Sequence, residues 1–248
     1  MAETGAAGTG GSGGPSGHSM QTMPFAGETR TYALHVPAAY DGKRPVPLLL
    51  HFHGWRPPPL GVSDELKYVW GPTCESAPLI AAEGLPCPEL DPQTPYGCFR
   101  ESRDAPFVAA LIQKLGQMYN LDPDRVFLSG HSGGAFFVEE HALRHSDTYV
   151  AAVAFAGGCI GSSDTYGNSC SVYKALSSAA TRKIPFFVAH NAKDQVVPVT
   201  YSASLLKLLE EGGHPTKATS DYDGGSTGHS IDASIVPPIW TWLAGFTL

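Results

Sequence analysis

The chain has 248 residues, 42% of them hydrophobic, and its 16 basic and 23 acidic residues leave a net charge of −7. That balance argues against nucleic acid or an anionic membrane surface as a partner. No apolar run approaches the ~20 residues a spanning helix needs.

Residues 1–22 are rich in Gly, Ser, Ala and Thr and read as a flexible tether, because they bury too little apolar surface to order themselves. Residues 23–248 suit a single α/β domain with a substantial core. No signal peptide is present, and Met1 ahead of a small-residue tail reads as a start just past a removed export signal. A secreted, periplasmic or cell-surface location is therefore expected.

Thr29 to Val36 alternates and is β-rich, predicting an early strand before the turn 37–42. Pro47 to His53 carries Leu48-Leu49-Leu50, the unbroken apolar core of a strand buried on both faces. Residues 56–104, with many prolines and three cysteines, read as a helix-poor insertion holding short elements only. From Ala105, the residues Val108, Leu111, Ile112, Leu115 and Tyr119 fall at helical spacing. Strands follow at 126–129, 151–155, 185–189 and 216–222. Helices follow the first of these, cover Tyr201 to Leu209, and close the chain around Ile239, Trp240 and Leu243. Strand and helix alternate, so the sheet should be mostly parallel with helices on both faces.

Five cysteines, at 74, 87, 98, 159 and 170, form no C-x-x-C pair. A zinc knuckle is therefore not expected. Their grouping points to stapled loops, with Cys159–Cys170 the easiest local bridge and at least one thiol left over.

The pattern G-x-S-x-G occurs at Ser12, Ser132 and Ser226, and with 28 glycines in the chain it carries little weight by itself. Only Ser132 has a strand before it and an amphipathic stretch after it. A serine on such a sharp strand-to-helix turn lifts its Oγ above the sheet edge, where it can act as nucleophile. A serine hydroxyl needs a base, and the base needs an acid to hold its tautomer. Asp194 follows the strand 185–189 by a short loop, and His229 lies in a loop between the strand 216–222 and the last helix. The order Ser132, Asp194, His229 is the one expected of the α/β-hydrolase fold. Asp221 and Asp223 are rivals for the acid but read as solvated turn carboxylates.

Acyl transfer also needs backbone N–H donors for the developing oxyanion. Gly133, just after the nucleophile, and Trp55, in the loop after His51-Phe52-His53-Gly54, are the candidates. Trp55, His131 and Trp70 are the candidate substrate contacts, with Tyr96, Phe99 and Tyr166 in or beside loops that would wall an aromatic acyl group. His141 and His145 have the i,i+4 spacing of metal ligands, but no third ligand is evident, so neither metal nor cofactor is expected.

The stretch Arg30 to Pro37, the strand ending at His53-Gly54, Asp122-Pro123-Asp124-Arg125-Val126 before the elbow, Tyr149 to Ala154, and His190 to Asp194 together resemble the polyhydroxybutyrate depolymerase and feruloyl esterase branch of the α/β-hydrolases. The resemblance covers about residues 28–55 and 104–246. It implies that 23–248 is an α/β-hydrolase catalytic domain without a large lid, a secreted serine esterase working through a Ser-His-Asp triad. A feruloyl-type ester is the best single substrate, with a short-chain polyester or an acetylated carbohydrate next and a non-catalytic binding module the remote alternative. The partner is thus an ester substrate, possibly polymer-linked, and the protein is expected to work as a monomer. Trp55 departs from the family, standing where many relatives have glycine.

Overall fold

The structure is a computed structural model that describes residues 16–55, 65–77, 79–83, 99–161 and 169–248. β1 (Gly17–Phe25) and β2 (Glu28–Val36) form an antiparallel hairpin, in register from Gly17 opposite Val36 to Phe25 opposite Glu28. Residues 17–22 are therefore part of the sheet and not of a tether. Backbone pairing orders them where their side chains supply little burial, and within β1 only Met23 is buried. The rest of the expected tether, residues 1–15, lies outside the described residues.

β3 (Val46–Phe52) is buried along its whole length, as its unbroken apolar run requires. α1 (Glu65–Val69), α2 (Gly71–Ser76) and β4 (Ile80–Glu83) come next, followed by α3 (Glu101–Met118). The segment 56–104 does hold short elements, but it is more than an insertion. β4 lies inside the sheet, antiparallel to β2 and parallel to β3. Its four residues include Ala81 and Ala82, which carry neither β-branching nor alternation, so no local signal marks the strand.

β5 (Leu121–His131), α4 (Gly133–Arg144), β6 (Ala152–Phe155) and α5 (Cys170–Ala179) follow. The chain closes with β7 (Phe186–Ala189), α6 (Val199–Glu211), β8 (Thr216–Thr219) and α7 (Val236–Leu243). The eight strands run in the order β1-β2-β4-β3-β5-β6-β7-β8, parallel from β4 through β8.

The sheet divides the core in two. Because alternate residues of a strand point to opposite faces, Leu48 and Leu50 pack with Leu111, Leu115, Val138 and Leu205, from α3, α4 and α6. Leu49 packs on the other face with Leu66, Trp240 and Leu243, from α1 and α7. Loops leaving the carboxyl ends of β5, β7 and β8 all emerge on one edge of the sheet, where open α/β sheets bind ligands.

Candidate active site

The turn at the end of β5 is tight enough to dictate its own sequence. Ser132 takes φ 51° and ψ −117°, a left-handed conformation that non-glycine residues rarely adopt. Its N–H donates to the Phe155 carbonyl at 2.8 Å, and its own carbonyl accepts from Ala135 N–H at 2.9 Å, opening α4. The flanking glycines are required by close approach. A Cβ on Gly130 would fall 2.3 Å from the Gly134 oxygen, and one on Gly134 would fall 1.9 Å from the Phe52 oxygen. Of the other two matches to the pattern, Ser226 lies in an exposed turn and Ser12 is outside the described residues.

His229 and Asp194 meet on the same edge. His229 Nδ1 donates to Asp194 Oδ2 at 2.7 Å, and the Asp194 side chain is completely buried. Burial alone would raise the Asp194 pKa, but hydrogen bonds from His229 and from the Val197 and Val196 N–H groups hold it below the usual carboxylate range. With Nδ1 committed to Asp194, Nε2 is the nitrogen left to take a proton. The two loops are joined through Gln195 N–H, which donates to the Thr227 carbonyl at 2.9 Å. Asp223 lies in an exposed turn, accepting from the Gly225 N–H, as a solvated turn carboxylate does. His190 packs behind the pair, 3.2 Å from Asp194 Oδ2 and bonded to the Ser202 hydroxyl. Burial lowers its pKa, so it stays neutral there.

A largely buried carboxylate that the sequence did not point to supports this edge. Glu65 of α1 lies 3.1 Å from His131 Nδ1 and 3.0 Å from His51 Nε2. His131 Nε2 in turn reaches the His229 carbonyl at 2.8 Å, and the two rings lie 5.1 Å apart. Burial opposes charge on both partners, yet the mutual attraction prevails: Glu65 is driven well below the usual carboxylate range and His131 is raised. His131 thus anchors the His229 loop. No signal near Glu65 could have shown this, because its partners are remote in sequence.

Around Ser132, Gly133 begins α4 and Trp55, 42% exposed, stands beyond Gly54. A Cβ on Gly54 would come 3.2 Å from the Ser132 Cβ, so the loop bearing Trp55 lies against the elbow. Trp70 is not a substrate contact. It is fully buried beneath the sheet and donates through Nε1 to Ser129 Oγ at 3.0 Å, an oxygen that also bonds His51. Phe99 is also drawn inward, edge-on to Phe52 at 5.2 Å. Trp70, between α1 and α2, joins the core as these helices pack on the sheet, and Phe99 joins it just ahead of α3. Tyr96 and Tyr166 lie outside the described residues. Cys159 and Cys170 form the expected disulfide, and Cys74 is a buried free thiol, while Cys87 and Cys98 are outside the described residues.

Sheet order, elbow and the Asp–His pair together define an α/β-hydrolase. The family model described as phospholipase/carboxylesterase matches residues 102–244, more than half of the chain, and the chain belongs to that family of esterases. It is 29% identical over 118 residues to a bifunctional acetylxylan esterase/xylanase of Neocallimastix patriciarum, an alignment spanning 47% of this chain and 16% of that protein. Among solved structures it is similar to a thermostable esterase, with TM-score 0.68 and 23% identity, covering 93% of this chain and 63% of that one. It is similar also to Est1E from Butyrivibrio proteoclasticus, with TM-score 0.64 and 13% identity over 91% of this chain and 99% of that one. A structure described as a ferulic acid esterase shares the fold with TM-score 0.65 and 14% identity, over 91% and 96% of the two chains.

Proposed function

We propose that the chain is an exported serine carboxylesterase that releases a feruloyl-type acyl group from a carbohydrate polymer. Ser132 attacks the ester carbonyl, and His229 Nε2 takes its proton and returns it to the leaving alcohol. Asp194 holds the tautomer, while the N–H groups of Gly133 and Trp55 receive the oxyanion. Water then hydrolyses the acyl-enzyme by the same proton path. The observation carrying this reading is the Asp194–His229 hydrogen bond of 2.7 Å in loops that adjoin the strained Ser132 turn. The Cys159–Cys170 disulfide supports export, since such bridges persist in oxidising compartments.

A second reading within the class, an acetyl ester on a carbohydrate, is favoured by two observations. The matched curated relative is named an acetylxylan esterase, and of the rings Trp55, Trp70 and Phe99 only Trp55 stays exposed beside the elbow. Catalytic efficiency on methyl ferulate, methyl butyrate, acetylated xylan and a short-chain polyester separates these readings. One aromatic contact is worth about 1–3 kcal/mol, so a feruloyl enzyme should prefer methyl ferulate to methyl butyrate by roughly ten- to hundredfold. Equal efficiency with release of acetate from xylan would establish the second reading.

A further inference from the structure

His141 and His145 lie one turn apart near the end of α4, and the fold brings to them a third donor that the sequence does not reveal. Glu101, in the first turn of α3, reaches both. Its Oε2 lies 2.8 Å from His141 Nδ1 and its Oε1 lies 2.6 Å from His145 Nε2. The three donor groups fall within 4.8 Å of one another. Nine and thirteen residues along the chain from Ser132, the two histidines stand roughly 13 and 20 Å up the helix at 1.5 Å per residue, away from the nucleophile.

We infer that Glu101, His141 and His145 form a binding site for a divalent transition ion of the zinc type, tying the start of α3 to the end of α4. Two imidazoles and one carboxylate are a donor set that zinc accepts, with a fourth position left for water. Donors about 2.1 Å from an ion in tetrahedral array stand about 3.4 Å apart, so a shift of roughly an ångström in the Glu101 carboxylate admits the ion.

The surroundings are those of a built ligand. His141 is buried, stacked on Phe137 with ring centroids 5.0 Å apart and planes 16° from parallel. Its Nε2 meets the Tyr149 hydroxyl at 2.7 Å, so with an ion on Nδ1 the ring proton would sit on Nε2, held by the Tyr149 oxygen. Such an outer partner is what fixes the tautomer of a metal-bound histidine. His145, with its side chain 42% exposed, and Glu101 open onto a surface cleft that also includes Ala105, Leu143 and Leu176. Solvent therefore reaches the fourth position.

The test uses the full chain, freed of metal by chelator dialysis and titrated with Zn2+ in equilibrium dialysis, with Co2+ absorption reporting coordination geometry. Wild type should take up about one ion per chain, with the intense visible bands of tetrahedral Co2+, and should melt at a higher temperature when loaded. Glu101→Gln and His145→Ala should each lower affinity by roughly a hundredfold, and Tyr149→Phe by about tenfold. His229→Ala should bind as wild type does. Ester turnover by His145→Ala should match that of wild type, because the site stands apart from Ser132. His145→Gln provides a second exposed replacement if the alanine variant misfolds. Zinc uptake unaffected by both Glu101→Gln and the His145 variants, or no uptake by wild type, would show a plain carboxylate–imidazole contact and overturn the site.

Discussion

Ser132, the proposed nucleophile, combines two demands that conflict, a hydroxyl at the turn and a backbone conformation that suits glycine. Holding an L-residue in such a region costs of order 1–3 kcal/mol. Ser132→Gly should accordingly unfold at higher denaturant concentration than Ser132→Ala, while both should lose ester turnover; equal midpoints would mean the turn is unstrained. Asp194→Asn should lower kcat by roughly 10³–10⁴-fold, because the amide no longer selects the working tautomer of His229. A variant keeping more than a few per cent of the wild-type rate on a chromogenic acetate ester, at about the level that a lost triad member forbids, would remove that residue from the mechanism.

Glu65 makes a separate prediction at the same scale. Its folded pKa is depressed, so its contribution is present above the unfolded carboxylate value and lost as pH falls through the folded one. The folded pKa of His131 is raised, so its contribution is present below the unfolded imidazole value and lost as pH climbs through the folded one. His51 and Asp194 face the same pair and move the edges of this window without reversing it. The stability gap between wild type and Glu65→Gln should therefore be widest between about pH 4.5 and 6.5 and narrow on the alkaline side. Its size there should be about 3 kcal/mol, since the variant leaves a buried imidazolium without its counter-charge. A gap that is flat from pH 5 to 9, across the range where a histidine titrates, would show that the pair is not ionised.

Among elements, α5 is tied to the loop after β6 by a crosslink. Cys170 is its first residue and Cys159 lies eleven positions earlier, beyond β6. Closing a loop of that length removes about 3 kcal/mol of unfolded-state entropy. The double variant Cys159→Ser/Cys170→Ser should lose about that much stability in denaturant melts without added reductant. An unchanged midpoint would mean that α5 is held by its packing against α4 and α6 alone. α4 carries two burdens, since its first turn follows Ser132 and its last turn holds His141. The helix that follows the proposed nucleophile is therefore also the one that a bound ion would brace.

For the whole molecule, substrate and compartment each carry a prediction. Trp55→Ala keeps the backbone N–H, so it tests the ring apart from the proposed oxyanion donor. It should erode a preference for methyl ferulate by roughly tenfold and leave methyl butyrate nearly untouched; parallel loss on both esters would report a disordered loop. Protein recovered from its native compartment should show fewer than five free thiols when titrated unfolded and unreduced, because Cys159 and Cys170 are paired. Five free thiols would place the chain in a reducing compartment. No helix among the described residues is long and apolar enough to cross a membrane.

Periodicity and local motif carried much of this protein. Leu48 to Leu50 announce a doubly covered strand, and the spacing from Val108 to Tyr119 announces α3. Gly130 to Gly134, set between a strand and a helix, mark the elbow, and chain order points to Asp194 and His229. These are legible because each depends on residues a few positions apart, or on a fold whose strand ends are ordered along the chain. Tertiary structure alone decided the rest. β1 and β4 are strands because neighbouring backbones pair with them, not because their side chains alternate strongly. Trp70 and Phe99 are core rings because remote segments close over them. Glu65 serves His131, and Glu101 meets His141 and His145, across gaps of 66, 40 and 44 residues. A charge finds such partners only when packing excludes water and brings them together, and nothing local in the chain records that meeting.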